Sequence, residues 1–229
     1  MSLEVRRSAD RFVTEAEGRT TRHSFSFDRH YDPSNVGLGF LVCHNEDLVL
    51  PGHGYPDHPH RDLEIVTWVL GGALRHSDGS RGSTVVTPGT VQRLSAGSGV
   101  IHAEVNEGPE PVHFVQMWVR PAEPGLPPSY VHAPASVDVD GWTTIAGTGD
   151  AVVPIANPGA TLRVARLGTG RSVTLPEAPA LHLFVARGGV EVEGAGVLTT
   201  GDALRATEGG ARVTAVDDAE LLLWELATA

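Results

Sequence analysis

One cysteine in 229 residues, Cys43, leaves no internal disulfide, so the fold must rest on a packed core. Aromatic residues make up only 6% of the chain, and the core is expected to be mostly Val, Leu, Ala and Ile. No apolar run approaches the ~18 residues that cross a bilayer as a helix. Met1 to Val13 lacks the apolar stretch of a secretory signal. A soluble, cytoplasmic protein with no membrane contact is therefore expected. Basic residues are scarce, 17 against 28 acidic, for a formal charge of −11. Arg6, Arg7 and Arg11 form the nearest thing to a basic cluster, and Glu4 and Asp10 dilute it. Such a chain repels phosphate backbones, which argues against direct nucleic-acid binding and leaves protein partners open.

What is present points to short strands. Gly (27) and Pro (16) punctuate a chain that is 41% hydrophobic, and no long 3.6-period segment stands out. His23 to Phe27 alternates and reads as an edge strand. Apolar or alternating runs follow from Phe40 to Val119, among them Leu63–Leu70, Val91–Leu94 and Phe114–Val119. Short strands at this spacing predict a sandwich or barrel. Arg120 to Pro128 holds four prolines in nine residues, so it is a linker or crossing segment. Strands resume after it, notably Leu162–Val164, Leu181–Val185 and Leu221–Leu226. Leu63 to Gly72 weakly echoes Leu181 to Gly189, the sign of a duplicated barrel.

The histidines are unevenly placed. In a strand, residues i and i+2 share a face, so His58 and His60 point one way, and Asp62 and Glu64 with them. His102 and Glu104 form a second such pair. Three imidazoles and one carboxylate suit a single mononuclear transition metal and leave positions open for substrate or dioxygen. Spacing does not choose between Glu64 and Glu104. His113 lies on a strand and either lines the same pocket or packs in the core. His30, His44, His53 and His76 read as solvated loop or strand-end positions. His182 stands alone, and no HxH or HxE follows Pro121.

The frame around these pairs is more specific. Gly52, His58, His60, Glu64 and Gly71 match the cupin pattern G-x5-H-x-H-x3-E-x6-G in full. Gly99, His102 and Asn106 match the end of the second cupin motif, G-x2-H-x3-N, although Pro88-Gly89 and the residues before Gly99 depart from its opening. The wording of His58–Thr67, Ser95–Glu104 and Gln116–Val119 closely resembles the pirin family. That resemblance implies an all-β bicupin, two stacked antiparallel β-barrels of jelly-roll type. It implies a metal-binding domain over residues 1–121 and a degenerate, metal-free one over 122–229. Carried over residue by residue, the metal ligands are His58, His60, His102 and Glu104. Glu64 then supports a ligand or stands as the alternative.

The resemblance also implies function. Pirin-like proteins are associated with quercetin 2,3-dioxygenase activity, which opens a flavonol with O2 and releases carbon monoxide. Glu104 would accept the flavonol hydroxyl proton. The implied cofactor is one divalent transition metal, Fe(II) first, with Mn, Ni, Cu or Zn as alternatives. The other reading is an iron-dependent, redox-responsive regulator that acts through protein partners.

Overall fold

Glycine- and proline-bounded runs of Val, Leu and Ile make strands throughout. The computed structural model describes residues 2–79 and 82–228. Among them there is no α-helix, only a 3-10 turn at Ser8–Asp10, and so no helix long and apolar enough to cross a membrane. The chain opens with β1 (Ser2–Arg6), β2 (Phe12–Ala16), β3 (Arg19–His23) and β4 (Leu41–Val49). Next come β5 (Gly54–His60), β6 (Glu64–Gly71), β7 (Leu74–Asp78) and β8 (Gly82–Val86). β9 (Thr90–Ser95), β10 (Val100–Val105) and β11 (Val112–Val119) complete the first half. The second half begins with β12 (Ser129–Pro134), β13 (Trp142–Gly147), β14 (Val153–Pro154) and β15 (Ala160–Leu167). β16 (Ser172–Thr174), β17 (Ala180–Arg187), β18 (Gly189–Val192) and β19 (Gly196–Thr199) follow. β20 (Ala203–Thr207), β21 (Arg212–Ala215) and β22 (Ala219–Leu226) end the chain.

Each half is a jelly roll of one seven-stranded and one four-stranded sheet. In the first, the sheets run β12-β9-β6-β11-β4-β3-β2 and β5-β10-β7-β8. In the second they run β1-β20-β17-β22-β15-β13-β14 and β16-β21-β18-β19. The neighbours of β4 to β11 recur, in the same order, as the neighbours of β15 to β22. The duplication hinted at by Leu63–Gly72 and Leu181–Gly189 is thus real in space: β6 and β17 occupy the same central place. Gly72 and Gly188 follow these two strands, both at φ +74, each with a backbone carbonyl where a Cβ would sit. The expected all-β bicupin holds, with each half a jelly roll of two sheets.

The halves exchange their edge strands. β1 pairs with β20, and β12 pairs with β9. The proline-rich segment between β11 and β12 forms no strand and lies across both halves: Ala122 N–H donates to Ala156 O (2.8 Å), and Gly125 N–H to Asp62 Oδ1 (2.6 Å). One expectation is corrected. The His23–Phe27 stretch is not a strand, because β3 ends at His23 and the chain turns there to bury Phe25, 1% exposed.

The large sheets face each other through a continuous apolar layer in which Val66, Trp68 and Met117 meet Leu162, Phe184 and Trp224. The interiors differ. A full apolar cluster, including Leu183, Leu204, Val213 and Leu223, fills the second jelly roll. The first has only a small one, Val49, Val69, Leu74, Val86, Val112 and Phe114. Polar side chains take the rest of its interior.

Candidate metal centre

That polar interior is set by strand register. β10 lies between β5 and β7. His102 faces His58 on one side, and Glu104 faces His76 on the other. Alternation along β5 puts His58 and His60 on one face, with ring centroids 4.8 Å apart. The His102 ring is 4.4 Å from His58 and 5.1 Å from His60. Ligating atoms of these three residues all lie within 4.8 Å of one another, and so do those of His76, His102 and Glu104. His102, Glu104 and His76 are buried, whereas His58 and His60 are partly exposed and give the site its opening.

Tautomers follow from the hydrogen bonds. His58 Nδ1–H donates to Pro56 O (2.8 Å), which leaves Nε2 with its lone pair. Buried Nε2 atoms of His60 and His102 have no partner among the described residues. An unpaired buried imidazole nitrogen is costly, and a divalent metal satisfies it. Burial first, then the imidazoles of His102 and His58, push His60 down to about 3. Burial, with His58 and His76, holds His102 at about 3. Both are neutral at pH 7, the form that ligates metal. The residues therefore fit one divalent metal ion.

Glu104 is held by two amides. Gln92 Nε2 donates to its Oε1 (3.1 Å), and Gln116 Nε2 donates to its Oε2 (2.6 Å). Each amide is oriented from behind. Tyr130 O–H donates to Gln92 Oε1 (3.0 Å), and Trp118 Nε1–H donates to Gln116 Oε1 (3.0 Å). An indole N–H cannot accept, so Gln116 must turn its oxygen to Trp118 and its NH2 to Glu104. The Trp118 ring also stands edge-on to His60 at 4.9 Å.

Glu64 lies elsewhere. β5 ends at His60, and Asp62 adopts φ +51, which breaks the alternation that would have kept Glu64 on the histidine face. Its Oε2 accepts from Ser95 Oγ (2.8 Å) and Ala156 N–H (3.2 Å), so it braces the contact between the halves. His113 Nε2 pairs with Glu46 Oε1 at 2.9 Å.

Two histidines read as solvated are buried instead. His44 is 0% exposed, because β4 runs through the middle of its sheet. His76 is 2% exposed, stacks on Tyr130 at 4.4 Å and sits beside His102. Alternation along β7 carried the only sequence signal for His76, with Leu74 and Asp78 on the same buried face. Gln92 beside Val91 in β9, and Gln116 between Val115 and Met117 in β11, were the corresponding signals for the Glu104 support.

The second jelly roll has the same positions filled differently. In the first, Thr67 on β6 faces Gln92 and Gln116. In the second, Leu183 on β17 faces Leu204 and Leu223. Where His102 faces His58, the second half pairs Val213 with Val173.

Twinned jelly rolls, one with imidazoles gathered in its interior, define a bicupin. Comparison with known proteins narrows the class: the chain belongs to the pirin family, whose model, Pirin, matches residues 4–119. A Mycobacterium tuberculosis protein named "Putative quercetin 2,3-dioxygenase" is 48% identical over 232 residues, covering 98% of this chain and 95% of its own. A Caulobacter vibrioides protein named "Pirin-like protein" is 38% identical over 217 residues, covering 90% of this chain and 91% of its own. Among solved structures, the bacterial pirin YhhW from Escherichia coli in complex with nickel(II) matches with a TM-score of 0.91 at 27% identity, over 100% of both chains.

Proposed function

We propose that the chain is a metal-dependent dioxygenase of the pirin type, which opens a flavonol such as quercetin with O2 and releases carbon monoxide. The reading rests on one observation above others. Three imidazoles converge within 4.8 Å, and the buried Nε2 atoms of His60 and His102 have no partner among the described residues. In this reading His58, His60, His102 and Glu104 hold the metal, with Fe(II) taken first as the pirin resemblance implies and Mn, Ni, Cu or Zn as alternatives that imidazole and carboxylate ligands also suit. The metal-binding half is residues 1–121, and 122–229 form the half without a metal. When bound, the metal supplies Lewis acidity and a template for both reactants.

The chain's own residues do the rest. Gln92 and Gln116 fix the Glu104 carboxylate, so one of its oxygens is placed to take the flavonol 3-hydroxyl proton. Trp118 stands edge-on to His60 and Tyr130 stacks on His76, so aromatic rings hold these two imidazoles in place. The relatives named for quercetin 2,3-dioxygenase and the nickel-bound pirin structure support the same reading.

The test is quercetin consumption with carbon monoxide release, measured in air on protein loaded separately with Fe(II), Mn(II), Ni(II), Cu(II) and Zn(II). Turnover with at least one metal, abolished in His102→Ala, is the expected result. A filled site with no turnover for any metal would overturn the enzymatic reading and leave the partner-dependent regulator. Metal content tests the ligand set separately: His60→Ala should lose most of its metal and His182→Ala should not.

A further inference from the structure

The seam between the halves holds a cavity of about 90 Å³ that shares no lining residue with the metal centre. Arg6, Arg11 and Phe12 from the start of the chain form one side, and His182, Ala203 and Arg205 from β17 and β20 form the other. His182 is 1% exposed, and neither ring nitrogen has a hydrogen-bond partner among the described residues. Its ring packs on His44 with centroids 4.7 Å apart. A buried imidazole with an unused N–H asks for an acceptor.

Charge accounting gives the acceptor its sign. Arg6 pairs with Glu4 at 2.7 Å, Arg7 with Asp202 at 2.8 Å and Arg11 with Glu46 at 2.6 Å. Arg205, 9% exposed, has no carboxylate within 4.0 Å among the described residues. Its Nη2 donates to Asn35 Oδ1 (2.5 Å) and Ser24 O (3.3 Å), and its guanidinium lies 4.6 Å from the Phe25 ring. Its Nε, the Nε of Arg11 and the Oγ of Ser24 are buried without partners. Glu4 and Asp32 act on this guanidinium only through space, so its unpartnered Nε still asks for a hydrogen-bond acceptor. Asp10 and Asp32 also line the cavity and limit the negative charge it accepts, which favours a singly charged acceptor over a dianion. Phe12 and Ala203 offer an apolar wall to a short carbon chain.

We propose that this cavity is a second ligand site, for a short-chain monocarboxylate held by Arg205 and His182 with its carbon chain against Phe12 and Ala203. Such a ligand bridges β17 and β20 to the start of the chain and stabilises the seam by mass action.

The experiment is calorimetric titration of propionate into the full-length nickel-loaded chain, repeated on nickel-loaded Arg205→Gln and Ala203→Leu and on metal-depleted His60→Ala, with chloride and inorganic phosphate as competitors. Saturable binding to the wild type is expected. Arg205→Gln should weaken it about tenfold or more, as loss of a charged hydrogen-bond donor does. Ala203→Leu fills the cavity without removing a charge and should abolish binding, so it decides the matter if Arg205→Gln fails to fold. His60→Ala should bind as the wild type does, and neither competitor should displace propionate at equal concentration. The proposal is overturned by absence of saturable binding to the wild type, by binding that survives both cavity variants, or by binding lost only in His60→Ala, which puts the carboxylate at the metal centre. Displacement by phosphate at equal concentration would overturn the choice of a monoanion.

Discussion

The Nδ1 atoms of His76 and His102 lie 3.3 Å apart, both rings buried. Only one of the two nitrogens can carry the shared proton. If His102 donates it, its Nε2 keeps a lone pair facing His58 and His60, which is the arrangement a metal ligand needs. His76 then acts as the acceptor that fixes the ligand's tautomer and ring plane. His76→Phe keeps the stacking surface for Tyr130 and removes that acceptor. Metal affinity, measured by chelator competition, should fall about 10- to 100-fold. Unchanged affinity would mean that His76 only fills space.

Gln116 offers a cleaner separation of binding from chemistry. Its amide holds one oxygen of Glu104 at 2.6 Å and is itself oriented by Trp118. Gln116→Leu matches the leucine found at the corresponding place in the second half, Leu223. Core packing should therefore tolerate it. Turnover of quercetin should fall about tenfold or more while the three-histidine cluster still takes up metal. Equal kcat in wild type and variant would remove Glu104 positioning from the mechanism.

How far these features could be read from the sequence depends on the distance over which each is encoded. Strand alternation acts over two residues, so His58 with His60 and His102 with Glu104 were visible as pairs. The same rule failed for Glu64, because one left-handed residue, Asp62, redirects the chain after β5. His76 reaches His102 across 26 residues of sequence through the β7–β10 register, and nothing local announces that pairing. The duplication was faint for a related reason. Equivalent strands share position and apolar character, yet the interior residues that would have matched diverged, Thr67, Gln92 and Gln116 against Leu183, Leu204 and Leu223. The exchange of β1 and β12 could not be read at all, since any edge strand can pair with either sheet and only tertiary packing chooses.

The two halves are also tied by a polar contact inside their apolar seam. Trp68 Nε1–H donates to Glu220 Oε1 at 2.6 Å, while Glu220 Oε2 pairs with Arg166 at 3.1 Å. Trp68→Phe removes the donor and leaves a carboxylate oxygen unsatisfied at a buried position. The cost should be about 1–3 kcal/mol, read as a lower midpoint in denaturant with an unchanged slope. A changed slope would instead indicate that the halves unfold separately in the variant.

Acid should weaken the fold through histidines that have nothing to do with metal. Burial, followed by Arg205, pushes His182 down to about 3 from an ordinary 6.5. The folded protein therefore holds this ring neutral at pH values where the unfolded chain has already protonated it. Between pH 6.5 and 3 the unfolded state binds more protons, so stability rises with pH and is lost as pH falls. Asp47 works in the opposite direction. Burial lifts it to about 6, so between about pH 4 and 6 acidification favours the folded state through that group. Because Asp47 is common to wild type and variant, its contribution cancels in their comparison. His182→Phe should therefore lose less stability between pH 7 and pH 5 than the wild type, by on the order of 2 kcal/mol. Paired denaturant titrations at the two pH values measure the difference. Parallel losses in both proteins would show that His182 does not control acid stability and would direct attention to His44, which burial and the His182 ring also hold well below the usual imidazole range.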